Sequence, residues 1–286
     1  MHTRKNQRNL NRTEKRRLVA ALLELKRSGR YDEFVSLHGE FYNADGDKGP
    51  RAAHMTPSFF PWHRQFLLEF ERALQAVDPS VSVPYWDWTT DNTPAASLWA
   101  EDFLGGNGRT ADQQVMTGPF AYANGNWRIK VSVTETPHLT RKFGGRGGTV
   151  TLPTRNDVAR ALQDPLYDAA PWDSTASRGF RNKIEGWAAD GVGKGNNHNR
   201  VHQWVGGMML GATSPNDPVF WLHHAFMDLL WQRWQQQHPR SGYLPAAPLR
   251  AGDPQRGRVY GLHEKMPPWD TTPAQLLDHG NLYRYA

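Results

Sequence analysis

Apolar residues recur at helical spacing in several separate blocks of the chain. Leu18, Leu22 and Leu25 share one face of a segment from 14 to 28, with Thr13 placed as its N-cap and Gly29 as its stop. A second helix is predicted over 31 to 43, carrying Phe34, Val35, His38, Phe41 and Tyr42. Pro57 and Pro61 introduce a third pattern through Phe66, Leu67, Phe70, Leu74 and Val77, closed by Asp78-Pro79, with His63 in its first turn. From about 89 to 155 the period is lost among Gly, Pro, Asn and Thr, which predicts long loops, with a short alternating run at 127–133 as minor strand content. Helical spacing returns at 176–188, at 198–209 and most strongly from Pro218 to Gln237, after which the Pro- and Gly-rich tail from 239 reads as an ordered covering loop. No repeat and no break in composition divides the chain, so residues 1–286 are expected to form one domain.

Composition narrows the class. With 38% hydrophobic residues, 12 Trp, 12 Phe and 9 Tyr, there is too much aromatic material for a disordered chain. No apolar run reaches the ~18 residues that span a bilayer, so no membrane association is expected. The absence of Cys excludes disulfides, thiolate metal sites and cysteine nucleophiles. Net charge is +6, and Arg4, Lys5, Arg8, Arg12, Lys15, Arg16 and Arg17 face only Glu14 near the start. Aromatics are not interleaved with these charges, so the segment reads as a solvated terminus entering a helix, with no nucleic-acid partner. Arg16-Arg17 precedes an apolar stretch, but Glu24 and Lys26 interrupt it and no small-residue cleavage site follows. The default location is therefore the cytoplasm, unless a partner carries the chain out.

The 12 histidines hold the chemistry. His198 and His202 stand at i and i+4, one turn apart on a helix, where they can share a metal. Asn199 occupies the place at which a zinc peptidase needs its Glu, which argues against that chemistry. In the helix beginning near Pro218, the face through Phe220, His224, Met227 and Trp231 is apolar, so His224 is taken as a third ligand and His223 as structural or solvated. His38, His54 and His63 form a matching trio. Two such trios on helix pairs predict a mainly α protein, a four-helix bundle holding a binuclear site among long loops with minor β content. Six imidazoles without interspersed carboxylates favour zinc or copper over magnesium or calcium, and copper paired for oxygen chemistry over a hydrolytic pair.

At this point the sequence resembles the type 3 copper proteins, specifically the actinomycete tyrosinases. The likeness runs through R-K-N-Q near the start, P-S-F-F-P-W-H-R-Q-F-L-L-E-F-E at 57–71, P-Y-W-D-W at 84–88, H-N-R-V-H-Q-W-V-G-G at 198–207 and S-P-N-D-P-V-F-W-L-H-H at 214–224. It implies that His38, His54 and His63 bind copper A, that His198, His202 and His224 bind copper B, and that O2 is the co-substrate of a small aromatic molecule. It also implies a catalytic pair, Glu185 in F-R-N-K-I-E-G-W and Asn199, which in this family is proposed to take the proton of a phenol. A small copper-delivering accessory protein is a further implied partner, able to carry an export signal.

Four positions depart from the usual tyrosinase, Tyr42, Met55, Gln203 and Met208, and each is expected at the substrate pocket. Tyr42, four residues after His38, should stand near copper A or on the substrate wall. The close relatives called o-aminophenol oxidases resemble tyrosinases with this kind of change. The expected activity is therefore oxidation of o-aminophenols and catechols, with true tyrosinase activity as the alternative. An oxygen carrier of the hemocyanin kind ranks lower, since 286 residues leave little chain for a shielding domain.

Overall fold

The computed structural model describes residues 1–187 and 196–286. Asn11 caps helix α1 (Arg12–Arg27), its side chain accepting from the Glu14 N–H while Glu14 reaches back to the Asn11 N–H. This reciprocal capping places the start at Asn11, two residues before the expected Thr13. Gly29, at φ 84°, turns the chain into α2 (Arg30–Phe41). Helix α3 (Phe59–Val77) admits Pro61 at its third position, where the missing N–H is no loss. His63 consequently lies just beyond the first turn.

Two short helices, α4 (Arg155–Leu162) and α5 (Phe180–Glu185), precede α6 (Asn197–Val205) and α7 (Val219–Gln237). Sequence periodicity missed α4, although Thr154 and Asp157 form its capping box. The run predicted as helical over 176–188 is helical only at α5, and position 188 lies outside the described residues. Residues 127–133 form no strand; their bonding is loop-like, with the Ile129 N–H donating to Pro137 O. The strand content instead joins the two ends of the chain, where β1 (His2–Arg4) pairs in parallel with β2 (Tyr283–Tyr285).

Aromatic packing sets the bundle. Helix α3 lies against α1 and α7, and α6 against α5 and α7. Trp221 stacks on Phe70 at 3.5 Å, and a second stack of Phe60, Phe180 and Trp234 joins α3, α5 and α7. Every residue of α7 from Val219 to Trp231 is buried. A helix enclosed on all sides has no solvated face, so His223 is as buried as His224.

The basic start is also drawn inward. Arg4 is fully buried, donating to Glu71 at 2.9 Å and to Asp228 at 3.4 Å, with its guanidinium 3.6 Å from the Tyr283 ring centre. Arg64 donates to the other oxygen of Asp228 at 2.6 Å. The expected solvated terminus therefore fails at Arg4, where the two chain ends close over charges carried by α3 and α7, and again at Gln7, which is also fully buried.

Candidate metal centre

Each of four histidines has one ring nitrogen committed to a fixed acceptor. His38 Nδ1 donates to Ala212 O at 2.6 Å, His63 Nδ1 to Phe59 O at 2.9 Å, and His202 Nδ1 to Met209 O at 2.7 Å. His198 Nδ1 lies 2.9 Å from Asn199 Oδ1. Carbonyl oxygens only accept, so these Nδ1 atoms carry the protons and the Nε2 atoms are bare lone pairs. The turn that returns Met209 to His202 depends on Gly207, at φ 52°, where a Cβ would come within 2.2 Å of Thr140 O.

The bare nitrogens converge. His198 Nε2 is 3.1 Å from His202 Nε2 and 3.4 Å from His224 Nε2, a spacing at which no proton is available to join His198 and His202. Nε2 of His38 and of His63 is buried without a partner. His54 closes that second group, with ring centres 5.1 Å from His38 and 4.9 Å from His63. The two groups meet where His63 stacks on His224 at 4.2 Å. Ligand-capable atoms within each group lie within 4.8 Å of one another, and neither group includes a carboxylate among the described residues.

Burial holds these rings neutral. It lowers the pKa of His38 to about 3 and of His202 to about 4. His54, His63, His198 and His224 fall well below the ordinary value, first through desolvation and then through neighbouring imidazoles. Neutral, buried, convergent lone pairs are unfavourable alone and become ligands when a cation enters. An all-imidazole donor set suits copper.

Around this core, Glu185 is fully buried. Its Oε1 accepts from the Met55 N–H at 2.7 Å and its Oε2 from Arg181 at 3.0 Å. Arg181 also binds Asp168 at 2.7 Å. Burial pushes the Glu185 pKa up, against the opposing pull of Arg181. Met55 sits at φ 55°, a left-handed conformation unusual for its type, which aims its N–H at the carboxylate.

A cleft of about 300 Å³ opens onto His54, His198 and His202, walled by Tyr42, Trp187, Asn199, Gln203, Met209, Leu210 and Gly211. Tyr42 follows the end of α2 and is non-helical, yet its ring stands 4.7 Å from that of His54 and 5.8 Å from that of His38. Met55 and Met208, expected at the substrate, do not line the cleft. Met55 acts through its backbone, and Met208 is buried with its sulfur 3.8 Å from Ser132 Oγ. Met209, fully buried, lines the cleft in place of Met208. Trp187, Leu210 and Arg181 were not anticipated; Trp187 and Arg181 were within reach, flanking Glu185 in F-R-N-K-I-E-G-W.

Residues 28–237 match the family model described as the common central domain of tyrosinase. The chain belongs to the tyrosinase family. It is 57% identical over 286 residues to a tyrosinase of Streptomyces glaucescens, covering 100% of this chain and 99% of the relative. Grixazone synthase of Streptomyces griseus subsp. griseus is 43% identical over 313 residues, again with 100% and 99% coverage. A solved polyphenol oxidase from Thermothelomyces thermophila shares the fold at a TM-score of 0.71 and 22% identity, covering 100% of this chain and 89% of that one. This tyrosinase-family chain is thus a copper oxidase acting on small aromatic molecules, its cofactors a pair of copper ions that the two histidine groups fit. No helix among the described residues is long and apolar enough to cross a membrane.

Proposed function

We propose that the chain oxidises o-aminophenols and catechols to quinone imines and o-quinones, with hydroxylation of monophenols slow by comparison. The observation that carries this reading is the Tyr42 ring, 4.7 Å from His54 on the wall of the cleft. In this reading His38, His54 and His63 hold one copper and His198, His202 and His224 the other. The bound pair supplies the redox chemistry, passing four electrons from two substrate molecules to one O2, so that each substrate loses two electrons and two protons and two waters form.

The protein residues manage orientation and protons. A phenol of pKa near ~10 must lose its proton before it can ligate a metal at neutral pH. Asn199 has Oδ1 committed to His198, leaving Nδ2 buried and unpartnered on the cleft wall, where it can donate to a phenolic oxygen or to a bridging water. Glu185, anchored by Met55 and Arg181 and buried behind the cleft lining, would receive the proton through such a bridging water. Tyr42, whose hydroxyl burial keeps protonated, donates to the ortho amino or hydroxyl group, and Gln203, also on the cleft wall, contacts ring substituents. A copper-delivering accessory protein would dock at the same opening, where Leu210 is 57% exposed, and export from the cytoplasm would follow that partner.

The second reading, monophenol hydroxylation, is favoured by the presence of Asn199 and Glu185 together. Oxygen uptake on copper-loaded protein separates the two, with tyrosine, a catechol and a substituted o-aminophenol side by side. Fast turnover of the o-aminophenol with little from tyrosine, and a gain on tyrosine in Tyr42→Ile, are expected. Comparable rates on tyrosine and catechol in the wild-type protein would overturn the primary reading.

A further inference from the structure

Beside the three convergent nitrogens of His198, His202 and His224 lies a fourth imidazole. A ring nitrogen of His223 is within 4.8 Å of a ligand-capable nitrogen on each of the other three. Its ring stacks on that of His198 at 5.0 Å and 21°. Distance and burial alone would make it a ligand. A copper held by four imidazoles would be closed, whereas a reactive site must keep a position open.

The P-Y-W-D-W segment supplies what prevents this. The Trp86 N–H donates to Leu222 O at 3.0 Å, tying the segment to α7 immediately before His223. Trp88, fully buried with its ring edge-on to Phe226 at 5.1 Å, donates its indole Nε1–H to His223 Nδ1 at 3.1 Å. An indole N–H can only donate, so Nδ1 is occupied as an acceptor and a neutral His223 must carry its proton on Nε2. That Nε2 closes no hydrogen bond. Neither nitrogen then offers a free lone pair.

We propose that Trp88 is a positioning residue that locks His223 in its Nε2–H form, excluding it from the copper ligands and keeping copper B three-coordinate and open. The lock rests on the assignment of His198, His202 and His224 as ligands. Removing the indole N–H frees Nδ1 to take the proton, leaving Nε2 with the lone pair needed to compete for the metal.

The test uses the full chain, with Trp88→Phe and the double variant Trp88→Phe/His223→Phe, loaded with copper. X-ray absorption is expected to give three imidazoles per copper in the wild-type protein, and a fourth at one of the two coppers in Trp88→Phe with two coppers retained. Oxygen uptake should fall on the order of tenfold in Trp88→Phe. The double variant, which has no fourth imidazole, should regain both the wild-type count and the activity. Three imidazoles per copper in Trp88→Phe, or no recovery in the double variant, would overturn the lock. Should Trp88→Phe fail to fold, nitrogen-15 NMR of the wild-type protein loaded with Cu(I) decides, since the proposal requires an unprotonated Nδ1 and a protonated Nε2 on His223. A protonated Nδ1 refutes it. Fewer than two coppers in the wild-type chain would instead refute the ligand assignment beneath it, and the lock with it.

Discussion

Asp228→Asn is the sharpest test of how the chain ends support the metal centre. Asp228 lies one turn beyond His224 on α7, and Arg64 directly follows His63 on α3, so their ion pair ties together the helices that carry one histidine of each group. The carboxylate also accepts from Arg4, from Tyr285 at 2.6 Å and from Tyr283. The guanidinium of Arg64 and then that of Arg4 hold its pKa at about 2, below the ordinary 3.8, despite burial. A depressed carboxylate pKa contributes stability that is fully present above the unfolded value and is lost as pH falls through the folded one, here worth roughly 2 kcal/mol. Asp228→Asn removes that term and leaves Arg64 buried without a carboxylate, so a cost of ~3–5 kcal/mol is expected. With an unfolding entropy of about 2.1 cal/mol/K per residue, a chain of this length should lose roughly 5–8 °C in Tm. Scanning calorimetry of the metal-free protein at pH 7 measures it without copper masking the loss. A drop below about 2 °C would refute the claim that the clasp bears on α3 and α7.

Two further outcomes follow from the same geometry. The metal-free protein should lose stability on mild acidification, because unfolded histidines take protons near pH ~6.5 while His38 and His202 remain neutral until about 3 and about 4; each ring then costs roughly 2 kcal/mol at pH 5, and an unchanged Tm between pH 7 and pH 5 would contradict neutral burial. Asn199→Leu removes the acceptor that orients His198 and should weaken copper binding by about 10–100-fold in a chelator competition, with Tm of the metal-free chain nearly unchanged; an unaltered affinity would mean that His198 does not depend on Asn199.

The long helices were legible because each carries its own apolar period. What escaped depends on partners distant in sequence. Strands β1 and β2 are three residues each and pair across nearly the whole chain, so neither carries a local pattern. The inward turn of Arg4 follows from Glu71 and Asp228, which no window around residue 4 contains. At the site, His198 and His202 could be paired because their i, i+4 spacing matches one helical turn, and Asn199 because it adjoins one of them, whereas His38, His54 and His63 come from two helices and the loop between them. That Met209 lines the cleft could not be read, since the chain between His202 and Met209 turns through Gly207, lodged against Thr140, a partner distant in sequence. Met55 makes a contact of a related kind, a backbone N–H to Glu185, to which side-chain chemistry is blind.

The most direct test of the binuclear account is an anaerobic titration of the metal-free protein with Cu(I), counting the copper that remains bound after gel filtration. Two groups of three convergent imidazoles predict saturation at two copper ions per chain. Saturation at one would contradict it.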